Sequence, residues 1–214
     1  MRLRTTTFAN TLWWRWAFIL ACLWPALVLA TATPTVLVMG DSLSAAYGLP
    51  TEQGWVALLG KELGQRQPPW RVVNASISGE TTGGGAARFD QALAEHQPAV
   101  VILELGANDA LRGLPLDQAQ ANLQSMIEAA HAQQTKVLLV GIEIPPNYGP
   151  DYTQALRAMY THLAEHNQIA LLPFLLEPVA ADLANFQPDG LHPVASAQPA
   201  VMAHVLTALA PLLE

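Results

Sequence analysis

Apolar runs alternate with amphipathic stretches along almost the whole chain. Thr35 to Met39, Arg71 to Ala75, Ala99 to Leu105 and Lys136 to Ile142 are short, rich in Val, Ile and Leu, and do not alternate with polar residues. Such runs read as parallel strands buried on both faces. Ile169 to Leu172 is a weaker fifth. The segments Glu52 to Gln65, Ala86 to His96, Leu116 to Gln133, Tyr152 to His166 and Ser196 to Leu213 have helical spacing. Strand and helix in turn predict one three-layer α/β/α domain with right-handed crossovers, and no linker or repeat divides it. Gly79, Gly83-Gly84-Gly85 and Pro145-Pro146 gather where strands end, at the edge of an open sheet where ligands bind.

The first 32 residues follow another pattern. Arg2, Arg4 and Arg15 precede an uncharged run from Trp16 to Ala30, and Ala30-Thr31-Ala32 follows it. Basic, apolar and small residues in that order predict a secretory signal cleaved after Ala32, leaving a domain over 33–214 that is periplasmic or secreted. Two alternatives stand beside it: a retained membrane anchor, although Pro25 interrupts a run short of the ~20 residues a span needs, and lipid modification of Cys22.

Composition narrows the partners. The chain has 214 residues, 51% of them hydrophobic, enough for a substantial core. Setting residues 1–32 aside removes three arginines and no acid, which takes the formal charge from −7 to −10. Such a surface disfavours nucleic acid and electrostatic membrane docking. Cys22 is the single cysteine, so the domain carries neither a disulfide framework nor a cysteine-ligated metal.

Chemistry gathers at strand exits. Gly40-Asp41-Ser42-Leu43-Ser44 places Ser42 just past the first strand, where a helix could begin. On its own, a G-D-S reads more readily as a helix cap, by Ser42 or Ser44, than as a catalytic serine. Near the other end, Asp189-Gly190-Leu191-His192-Pro193 supplies a carboxylate and an imidazole three residues apart. A serine hydroxyl needs a positioned base, and the base needs a partner that fixes its tautomer; Ser42, His192 and Asp189 meet both needs. The backbone N–H groups of Ser42 and Gly79 and the side-chain amide of Asn108 are candidate donors to the oxyanion. Asp41 is expected to anchor the turn with its side chain away from Ser42. Leu43, Ile77, Leu111, Leu114, Pro145 and Tyr148 lie on or beside these loops as candidates for an acyl groove, and Leu111 to Leu116, with Gly113 and Pro115, is a candidate lid. The remaining histidines, His96, His131, His162, His166 and His204, read as solvated.

These blocks resemble the SGNH, or GDSL, hydrolase superfamily, matched here by Ser42, Gly79, Asn108 and His192 with Asp189. Gly40 to Gly48, Asn108 to Gly113, Pro146-Asn147-Tyr148-Gly149 and Asp189 to Pro193 are similar to the bacterial thioesterase I/arylesterase/lysophospholipase group. Ala107 stands where that group often has glycine. The resemblance implies a flavodoxin-like sheet of order 2-1-3-4-5, no metal or cofactor, a periplasmic location and hydrolysis of esters and thioesters. Small ester, thioester or lysophospholipid substrates and a monomer without stable membrane insertion are expected. A carbohydrate O-deacetylase and a non-catalytic ligand-binding domain are the alternatives.

Overall fold

The computed structural model describes residues 33–214. The predicted signal, its cleavage point and Cys22 lie outside these residues. Five strands, β1 (Thr35–Gly40), β2 (Arg71–Asn74), β3 (Val100–Glu104), β4 (Lys136–Val140) and β5 (Ala170–Leu172), form one parallel sheet in the order β2-β1-β3-β4-β5. Helices α1 (Trp55–Gly64), α2 (Thr82–His96), α3 (Ala107–Leu111), α4 (Leu116–Ala132), α5 (Pro150–Asn167) and α6 (Gln198–Leu209) supply the outer layers. Packing of α1 against α6, and of α2 against α4 and α4 against α5, gives one helical layer on each face of the sheet.

The central strands follow from composition. Every residue of β1 and β3 is buried, and the Val, Ile and Leu side chains of both faces are sealed by a helical layer. β2 departs from expectation. It ends at Asn74, forms the sheet's edge and leaves Arg71 and Asn74 exposed and both valines half-buried, because only β1 pairs with it. β5, at the other edge, is also only partly buried.

Helix boundaries shift for local reasons. The predicted helix from Glu52 is split: Thr51–Gln53 is a 3-10 turn, and extended Gly54 separates it from α1. α2 begins at Thr82 rather than Ala86, so the glycine triplet lies inside its first turn. Thr81 caps it by accepting from the Gly84 N–H at 3.2 Å, and Gly85 packs on Leu105 with no room for a Cβ. The last predicted helix is α6 flanked by 3-10 turns, Ala195–Ala197 and Ala210–Leu213.

Candidate active site

The parallel sheet sends the exits of all its strands to one edge, and the candidate residues meet there. No α-helix starts at Ser42. Residues 42–48 form hydrogen-bonded turns, with Ala45 N–H donating to Asp41 O at 2.9 Å and Tyr47 N–H to Ser42 O at 3.2 Å, and Ala46 is left-handed at φ +57°. Neither serine caps a helix: Ser44 turns inward and donates to the Glu104 carboxylate at 2.6 Å.

Ser42 Oγ lies 2.8 Å from His192 Nε2, and His192 Nδ1 lies 2.8 Å from Asp189 Oδ2. With the ring proton on Nδ1, donated to Asp189, Nε2 is free to accept from the serine. The other Asp189 oxygen accepts from the backbone N–H of Leu191 at 2.9 Å and of His192 at 3.0 Å. What burial Asp189 has pushes its pKa up, but these N–H donors and the imidazole outweigh it together and hold the carboxyl down at about 2. A carboxylate that stays ionised suits a partner for an imidazolium. The Tyr47 ring covers the imidazole, with centroids 4.4 Å apart.

Asn108, at the start of α3, donates through Nδ2 to Asp41 Oδ2 at 2.9 Å. An amide nitrogen carries two hydrogens, so this bond fixes the group and leaves one N–H to give. Asp41 also accepts from Leu43 N–H at 3.0 Å, anchoring the turn as expected. Gly79 is left-handed at φ +81°, and its carbonyl accepts from Arg112 at 2.8 Å. Among the described residues no protein acceptor faces the N–H of Ser42 or of Gly79. Asp109 accepts from the Thr82 N–H at 2.8 Å and hydroxyl at 2.7 Å, tying the β3 exit to the start of α2.

Beneath the turn sits a carboxyl the sequence reading missed. Glu104 is 2% exposed, and its Oε2 accepts from Asp41 N–H at 3.3 Å as well as from Ser44. Burial, then the charge of Asp41, hold its pKa well above the ordinary range. Burial likewise raises Asp41, to about 6 against an ordinary 3.8, despite the bonds from Leu43 and Asn108 and the His192 charge. A charged residue inside an otherwise apolar strand was the available signal.

A cavity of about 410 Å³ opens beside Ser42 and His192. Of the six groove candidates, Leu43, Leu111 and Pro145 line it, while Ile77, Leu114 and Tyr148 do not. These three face solvent, and Tyr148 instead donates through its hydroxyl to Leu111 O at 3.0 Å. The apolar wall is completed by Ile142, Ile144, Phe174, Leu176, Phe186 and Leu191, all but the first two from the irregular chain after β5. Of the other histidines, His204 is half-buried and bonded to Phe174 O at 3.1 Å, which holds that wall, rather than solvated. Among the described residues no three His, Cys, Asp or Glu side chains converge as metal ligands would.

Residues 38–198 match the GDSL-like Lipase/Acylhydrolase family. Esterase TesA of Pseudomonas aeruginosa is 52% identical over 88% of this chain and 95% of its own length. Thioesterase 1/protease 1/lysophospholipase L1 of Escherichia coli K12 is 40% identical over 86% of this chain and 88% of its own. The crystal structure of psychrotrophic esterase EstA from Pseudoalteromonas sp. superposes with a TM-score of 0.80 at 40% identity, covering 84% of this chain and 98% of that one. The matched span runs from within β1 to the first residue of α6 and takes in every strand exit, so the chain belongs to the GDSL-like lipase/acylhydrolase family and is a serine ester hydrolase.

Proposed function

We propose that this hydrolase cleaves carboxylic esters and acyl thioesters, lysophospholipids included, through an acyl-enzyme on Ser42. Ser42 Oγ attacks the acyl carbonyl while His192 takes its proton, and Asp189 orients and stabilises the imidazolium. The N–H groups of Ser42 and Gly79 and the free amide hydrogen of Asn108 receive the oxyanion. His192 then returns the proton to the leaving alcohol or thiol and activates the water that releases the acid. The observation that carries this reading is the unbroken relay from Ser42 through His192 to Asp189 at the mouth of an apolar cavity.

Substrate class follows from the wall. Leucine, isoleucine and phenylalanine side chains offer an acyl chain burial worth ~0.8 kcal/mol per CH₂, so activity varies gradually with chain length. The same wall offers a sugar ring few partners, which favours acyl substrates over acetylated carbohydrate. We place the enzyme, a monomer, in the periplasm after removal of residues 1–32, with Leu111 to Leu116 ordering over bound acyl chain. p-Nitrophenyl esters and acyl-CoA of graded length test the assignment: the parent hydrolyses both, and Ser42→Ala lowers kcat by at least about 10⁴-fold. Equal rates for parent and variant would remove Ser42 from the mechanism.

A further inference from the structure

The two halves of the relay are 150 residues apart, and the sheet does not hold them together, since Ser42 follows a central strand and His192 lies beyond the edge strand β5. The loop bearing His192 is closed mainly on itself. Gln187 N–H donates to His192 O at 2.8 Å, Gly190 N–H to Gln187 O at 2.9 Å and Val194 N–H to Asn185 O at 2.8 Å, and Phe186 bridges Pro193. These bonds shape the loop without fixing its distance from the serine.

Two glutamine side chains span that gap. Gln187 Nε2 donates to Tyr47 O at 2.8 Å and to Pro193 O at 3.3 Å. Gln198, 2% exposed, donates from Nε2 to the same Pro193 oxygen at 3.3 Å, and its Oε1 accepts from Trp55 N–H at 2.9 Å. Trp55 in turn donates through its indole to Leu43 O at 3.1 Å. The carbonyl directly after His192 is therefore tied by one amide to the chain five residues past Ser42, and by the other, through Trp55, to the residue next to Ser42. Gly48 completes the fit: it is left-handed at φ +74°, and a Cβ there would collide with Gln187 Oε1.

We propose that Gln187 and Gln198 are positioning residues that clasp the His192 loop to the Ser42 loop and so set the proton-transfer distance. The proposal rests on the acyl-enzyme reading above. A planar amide is suited to the role because one rigid unit bridges two backbone groups, donating to both in Gln187 and donating and accepting in Gln198. Neither glutamine touches the reacting atoms. Their loss acts through misplacement of the imidazole, for which a displacement near 1 Å costs about 10²-fold in rate.

Gln187→Met, which keeps the length and removes the donor, is the deciding variant. With a p-nitrophenyl ester, kcat falls about 10- to 100-fold while KM stays within about twofold, and a p-nitrophenyl phosphonate labels Ser42 more slowly by a similar factor. Gln187→Glu, unable to donate to two carbonyls, behaves the same way. Gln198→Met lowers kcat too, and the double variant loses less than the product of the single losses, because both amides hold one carbonyl. The clasp is overturned if kcat and labelling of Gln187→Met stay within about twofold of the parent, if the loss appears only in KM, or if the two losses multiply fully. Should Gln198→Met fail to fold, Gln187→Met decides alone. A parent that hydrolyses no ester refutes the enzymatic reading instead, so the two failures are distinct.

Discussion

Two aspartates flank the reacting groups with nearly the same local geometry and opposite electrostatics. Asp41 precedes Ser42 and Asp189 precedes His192 by three. Each accepts through Oδ1 the N–H of the residue two places on, at 3.0 and 2.9 Å, and offers Oδ2 to a side chain of the site, Asn108 at 2.9 Å and His192 at 2.8 Å. Yet Asp41 is pushed up to about 6 and Asp189 held near 2. The motif is shared, so surroundings decide. Asp41 is buried beside the Glu104 carboxyl, whereas Asp189 lies on a more open loop facing only donors. One carboxylate thereby keeps its charge for an imidazolium, and the other serves as the turn's hydrogen-bond hub.

Exchanging each for asparagine tests that division most severely. Asp189→Asn preserves shape but turns a donor towards Nδ1, favouring the wrong tautomer, and lowers kcat about 10⁴-fold. Asp41→Asn still accepts from Leu43, and its damage passes only through Asn108. The loss of Asn108 itself sets the ceiling: Asn108→Ala lowers kcat by about 10²–10³ with little change in KM, and Asp41→Asn falls short of that. Steady-state kinetics on one p-nitrophenyl ester rank all three. An Asp41→Asn protein as impaired as Asp189→Asn would erase the distinction.

The same contrast explains what could be seen from sequence. Val36 to Met39, Val100 to Leu103 and Val137 to Val140 announce themselves because burial on both faces leaves no polar period. Ser42, Gly79, Asn108 and His192 stand out because each follows a strand exit or closes a turn that glycine permits. Long-range pairing was invisible. Glu104 reads as one polar position in a strand, and nothing local says that it meets Ser44 and Asp41 about 60 residues away. Phe174, Leu176 and Phe186 carry no local signal because the segment after β5 has no periodicity, while Ile77, Leu114 and Tyr148 lie close to the site in sequence, which does not fix the direction of a side chain. The start of α2 was lost to its glycines, whose low helix propensity is overridden by the Thr81 cap and packing on Leu105.

The smallest expected effect bears on the origin of the contrast. A folded state that holds its proton more tightly than the unfolded chain loses stability as pH rises. For Asp41, retention of the proton from 3.8 up to about 6 amounts to about 3 kcal/mol lost across that window. Asp189 works the other way. Its lowered pKa adds stability that is complete above about pH 4 and is lost as pH falls towards 2. Glu104→Gln keeps an acceptor for Ser44 and removes a second group whose proton the fold holds more tightly than the unfolded chain does, so the decline as pH rises from about 4 becomes shallower than in the parent. Urea midpoints measured at half-unit pH steps for parent and variant isolate Glu104's own share, because every other titrating group is common to both. Asp189→Asn, run alongside, leaves the decline from pH 4 to 6 intact and removes the rise below it. Superimposable curves for parent and Glu104→Gln would mean that Glu104 holds its proton no more tightly in the fold than in the unfolded chain, and that burial beneath the turn does not raise it.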